Sequence, residues 1–146
     1  MNLSERLNED MKQAMKSKDK FKLSNIRMVR STIKNLEIDL KRSLDDNEVL
    51  DIISREIKQR KDALQDFEKA GRDDLVADAK AEIDFLSAYL PEQLSEEEIK
   101  VIVQQTIQET GASSKAEMGK VMSALMPKVK GRADGKLVNQ VVQQFL

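Results

Sequence analysis

The sequence contains neither cysteine nor histidine. The first absence removes disulfides, thiolate metal sites and thiol nucleophiles together. The second takes away the usual general base near neutral pH and the commonest zinc ligand. Aromatic residues make up only 3% of the chain. That excludes binders that stack bases on rows of exposed rings. A formal net charge of −1 excludes a bulk polycation that coats nucleic acid non-specifically. No apolar run approaches the ~20 residues a membrane-spanning helix needs, and the opening MNLSERLNED has no apolar signal region. A soluble, cytoplasmic protein without a membrane partner is the expectation.

What is present points to helices. Charged residues reach 35%, with Lys, Glu, Leu, Gln and Met abundant. The two prolines and five glycines fall at segment edges, apart from Pro127 and Gly119. Ser4 is the expected N-cap of a first helix carrying Leu7, Met11 and Met15. A second runs from about Lys20 to Lys41, with Ile26, Val29, Ile33, Leu36 and Leu40 on one face. After the turn SLDDNE, with Asp46 as the expected cap, a third spans Asn47 to Lys69 and stops at Gly71. Two long helices joined by a short polar turn read as an antiparallel hairpin. Asp73 is the expected cap of a fourth helix, which must end near Pro91.

The stretch LPEQLSEEE marks a boundary, because Ser95 with Glu98 forms a capping box that starts anew. A fifth helix, Glu96 to Thr110, ends at Gly111. Ser114 with Glu117 reads as a second capping box, opening a sixth helix to about Met126. Asp134 caps a seventh with Leu137, Val138, Val141, Val142 and Phe145 as its apolar stripe. The expected architecture is all-α: a four-helix module over residues 1–90 that contains the long hairpin, then a three-helix module over residues 91–146. The second is near the lower size limit for an independent core.

Charge is regional. Lys12 to Arg42 holds ten cations against three acids (Asp19, Glu37, Asp39), and Met118 to Leu146 holds five against Asp134 alone. The segments between them are acidic. At 100° per residue, Lys20, Arg27, Arg30, Lys34 and Lys41 share an arc of ~80° on the second helix, interrupted by Leu23 and Ile38. That stripe is either a solvated face paired with Asp51, Asp62 and Asp66, or a ladder along a phosphate backbone. Met118, Met122 and Met126 recur every four residues, as core or as an adaptable partner surface.

Asp45, Asp46, Glu48 and Asp51 lack the glycine and the terminal glutamate of a calcium loop, so helix capping is the better account and no metal is expected. The other acids sit at helical spacing from Lys and Arg, which is surface chemistry. No glycine-rich nucleotide motif occurs, since KGRADGK has too few glycines and follows a helix. No catalytic residue and no cofactor are therefore expected. In the C-terminal loop, Gly131 ends one helix and Asp134 caps the next, occupying amides that a phosphate would need. Any anion there must be held from the side by Lys128, Lys130, Arg132 and Lys136.

The stretch MGKVMSALMPKVKGRADGKLVNQVVQQFL resembles the end of the GatB/YqeY family. The likeness rests on Met118 to Met122, Gly131 to Gly135 and Leu137-Val138-Asn139, with AGRDDL and YLPEQLSEEEI upstream. It implies an all-helical protein similar to the tail of the B subunit of the glutamine-dependent tRNA amidotransferase. That tail engages tRNA, while the ATP-dependent chemistry lies in other domains. A carbon–nitrogen ligase label with glutamine as amide donor would be inherited from the larger enzyme. The resemblance thus implies a non-catalytic, tRNA-binding-like module. The alternative is an adaptor docking on an aminoacyl-tRNA synthetase or an amidotransferase subunit.

Overall fold

The computed structural model describes all 146 residues. Its regular structure is helical throughout: α1 (Leu3–Lys16), α2 (Lys20–Leu40), α3 (Asp46–Lys69), α4 (Asp73–Ser87), α5 (Glu96–Thr110), a 3-10 turn (Lys115–Glu117), α6 (Met118–Val129) and α7 (Gly135–Phe145). The all-α expectation holds. The helices form two compact units, Met1–Leu90 and Pro91–Leu146. None is long and apolar enough to cross a membrane.

In the first unit the apolar positions of four helices converge on one core. Leu7 of α1 meets Ile26, Val29 and Ile33 of α2, then Val49, Ile53 and Ile57 of α3 and Leu86 of α4. Burying each of these side chains stabilises the fold by about 1.5–3 kcal/mol before entropy is counted. The antiparallel run of α2 and α3 is visible in Arg60, whose Nη2 reaches Met28 Sδ at 3.1 Å. Arg60 Nε also reaches Glu82 on α4 at 2.9 Å, so α3 and α4 run antiparallel too.

Helix starts lie one or two residues before several expectations, and two of the shifts have a common reason. A capping box needs an acid three residues after the cap, and Ser4 and Asp46 are followed there by Leu7 and Val49. Asn2 with Glu5 and Asp45 with Glu48 satisfy the rule and are the actual caps. Asp46 instead accepts from the Leu3 N–H at 3.0 Å, pinning the start of α1. Asp73 lies inside the first turn of α4, where Arg72 is the N-cap and makes no side-chain cap bond. Asp73 and Asp74 then sit favourably at the positive end of the helix.

In the second unit, Ile99 and Val103 of α5, Val121, Leu125 and Val129 of α6, and Val138, Val141 and Val142 of α7 make the core. The Ser95–Glu98 capping box is present, and Asp134 Oδ1 accepts from Lys136 N–H at 3.0 Å. The expected Ser114–Glu117 box is not formed. A 3-10 turn intervenes, and the Glu117 carboxylate accepts from Ser113 N–H instead. The sixth helix also continues through Pro127 to Val129 rather than ending near Met126. Val129 is buried in the core and Lys130 N–H bonds Met126 O at 2.9 Å, which holds the final turn despite the missing donor.

Candidate nucleic-acid interface

The α2 face is set by its apolar residues. Packing Ile26, Val29 and Ile33 inward turns Lys20, Arg27, Lys34 and Lys41 to solvent, with Arg30 half-buried at the edge of α1. None of the five forms a salt bridge, and none is paired with an acid of α3. Lys41 also closes α2 in the left-handed conformation, with φ 57°. Of the two interrupting residues, Ile38 is exposed and Leu23 half-buried.

Beside the stripe, α1 and α2 enclose a groove of about 570 Å³. Leu7, Met11 and Ile33 supply its apolar lining, and Arg27, Arg30 and Lys34 supply cations. Ser4 lies on one helix and Ser31 on the other. Glu37 is the sole acid there, and its Oε2 accepts from Leu44 N–H at 3.0 Å, fixing the turn into α3. Arg30 Nη1 lies 2.9 Å from Met11 Sδ. Sequence reading placed the cations but missed Met11, Ser4 and Ser31, because the pairing of α1 with α2 is tertiary information.

The C-terminal cations have different surroundings. Lys128 Nζ is bound by Glu109 at 2.7 Å and by Thr106 Oγ1 at 3.0 Å, tying α6 to α5. Gly131 takes φ 73° as expected of a helix-ending residue. Its carbonyl accepts from Gln93 Nε2 at 2.8 Å, and the Arg132 carbonyl accepts from Leu94 N–H at 2.8 Å. Arg132 Nε reaches Glu92 O at 3.4 Å. Lys130 and Lys136 are exposed. The loop is thus stitched to the segment before α5 through two carbonyls, while the Arg132 and Ala133 amides bond Val129 O.

The acids after α2 work as structural caps. Glu48 accepts from Arg42 at 2.7 Å as well as from Asp45 N–H. The Arg42 hydrogen bond, then the backbone bond at Asp45, hold the Glu48 carboxyl below its ordinary range. Met118 and Met122 pack on the second core, whereas Met126 is exposed. The ion-paired centre that sequence reading missed is Arg60, which is buried with Glu56 at 2.8 Å and Glu82 at 2.9 Å.

Residues 4–146 match the model of a family described as Yqey-like protein. A protein of Pyrenophora tritici-repentis, "altered inheritance of mitochondria protein 41, mitochondrial", is 33% identical over 97% of this chain and 79% of its own length. Proteins of the same name are similar in Saccharomyces cerevisiae (44% identical) and Vanderwaltozyma polyspora (42%), each over 58% of this chain. The chain covers 46% of the length of these two relatives. The names of these relatives overturn the cytoplasmic expectation, since all three are called mitochondrial. The features behind that expectation, no apolar signal and no spanning helix, do not separate cytoplasm from an organelle interior. With a family match over nearly its whole length, and a relative aligned across 97% of it, the chain belongs to the YqeY-like protein family.

Proposed function

We propose that this chain is a non-catalytic RNA-binding module that meets the phosphate backbone of a tRNA-like molecule through α2. The observation that carries the reading is the set of cations along α2 with no acid partner. Lys20, Arg27, Arg30, Lys34 and Lys41 run along one side of a helix about 30 Å long. Cations left unpaired along a rigid rod suit a ligand whose charge repeats along its length. The second basic segment adds the exposed Lys130 and Lys136 as candidates, and Lys128 and Arg132 hold their own unit together. Recognition would be by shape and charge, since no row of exposed aromatics offers base stacking.

Fluorescence anisotropy with labelled tRNA over a salt series tests the proposal. Wild-type protein is expected to bind at low salt and to weaken steeply as salt rises. The double charge reversal Arg27→Glu/Lys34→Glu is expected to weaken binding more than tenfold, roughly the loss of two phosphate contacts replaced by repulsion. Absent binding at low salt, or an affinity indifferent to that reversal, overturns the proposal.

A further inference from the structure

The groove between α1 and α2 has features that a phosphate ladder does not require. Leu7 and Ile33 give it an apolar floor. The half-buried Arg30 guanidinium faces the Met11 thioether, a weak acceptor, without the carboxylate that such burial ordinarily recruits. Glu37 is the one acid against three cations in the lining, forms no ion pair with them, and is anchored at the turn by the Leu44 amide. Arg27 and Lys34 lie one turn to either side of Arg30, so the rim is cationic over a half-apolar cleft.

We propose that this groove holds a single nucleotide unit, its phosphate on Arg27, Arg30 and Lys34 and its base against Met11 and the edge of Ile33, with Leu7 packed beneath them. The volume of about 570 Å³ lies within the range of small-molecule sites. Guanidinium planes and thioethers both make favourable contacts with the faces of flat rings. Inorganic phosphate alone would leave the half-buried Met11 side chain uncovered. A long acyl chain would find only three apolar side chains between hydroxyls and charges. The nucleotide is either free or an unpaired residue of an RNA, and the second source rests on the function proposed above.

The test uses the full chain with ¹³C-labelled Leu, Ile and Met methyl groups. Titration with adenosine 5′-monophosphate is expected to shift the Leu7, Met11 and Ile33 signals saturably. Arg30→Gln is expected to weaken that binding roughly tenfold by removing a charge-assisted phosphate contact. Ser31 is exposed on the groove lining, so Ser31→Phe fills the groove while leaving every core residue and every cation in the sequence unchanged. It is expected to abolish the shifts caused by the mononucleotide and by a short single-stranded RNA alike. Silence of those methyls to both ligands overturns the inference. So does an unchanged response in Ser31→Phe, or saturation by decanoate in place of the nucleotide. If the mononucleotide binds while tRNA does not, the groove stands and the RNA reading falls. If tRNA binds wild type and Ser31→Phe equally while the mononucleotide is silent, the groove inference alone falls.

Discussion

Arg60 of α3 and Glu82 of α4 meet at 2.9 Å, and the same guanidinium reaches Glu56 at 2.8 Å. Arg60 is 8% exposed, so it is held almost entirely by these two carboxylates, the Glu56 carbonyl and Met28. Removing it leaves two acids facing each other without their cation. Arg60→Ala is therefore expected to destabilise the chain by about 3 kcal/mol, the scale of breaking a buried pair from one side. Urea unfolding measures it, with a smaller loss expected for Glu82→Ala because the Glu82 side chain is 35% exposed.

Lys128 tests whether every cation of the C-terminal segment contributes equally to a charged surface. Its ammonium is bound to Glu109 and to the hydroxyl of Thr106, which is buried and donates to Ile102 O at 2.8 Å. Thr106→Val should cost about 1 kcal/mol, since it strands part of that network. Lys128→Gln should cost less than ~1 kcal/mol, because its ion pair is largely solvated. RNA affinity should be nearly unchanged in Lys128→Gln while falling in Lys34→Gln. Equal losses in the two variants would mean that Lys128 leaves its pair to meet the ligand.

Much of the fold was legible because the chain obeys one period throughout. Ile26, Val29 and Ile33 mark the buried side of α2, and the same spacing fixes the outward position of Arg27 and Lys34. Cap positions were less legible wherever several capping residues stood together. Asp45 and Asp46 differ only in whether an acid follows three residues later, and the Ser114 box failed although its spacing was correct. The groove was not legible at all. Periodicity says which face of α2 is polar, but only the packing of α1 brings Leu7 and Met11 beside Arg30. Arg60 escaped for a similar reason: a cation among surface-like acids gives no sign that two of them enclose it.

The salt dependence gives a count of backbone contacts. If α2 lies along phosphates, each cation neutralised should contribute about 0.7–0.9 to the slope of log affinity against log salt. Arg27→Gln and Lys34→Gln should each flatten the slope by that amount, and the double variant by roughly the sum. A variant that loses affinity with its slope unchanged would be acting through something other than ion release.

The contact between Tyr89 and Asp10 predicts an alkaline weakness in the first unit. Tyr89 is buried, its hydroxyl donates to Asp10 Oδ2 at 2.5 Å, and the Arg6 guanidinium lies 4.6 Å over its ring. Burial first, and the Asp10 hydrogen bond second, push the phenol well above its ordinary value. In the unfolded chain the phenol ionises near pH 10, roughly the value of a model peptide. The native contact needs the proton, so its stabilisation is complete below that pH and is lost progressively as pH rises toward the elevated folded value. Tyr89→Phe should cost about 1 kcal/mol at pH 8 by removing the hydrogen bond. Above about pH 10 the wild-type protein should lose stability faster than the variant, because phenylalanine has no proton to release. Urea midpoints measured from pH 8 to pH 11 should therefore converge; two parallel curves would show that the Tyr89 proton is not linked to folding.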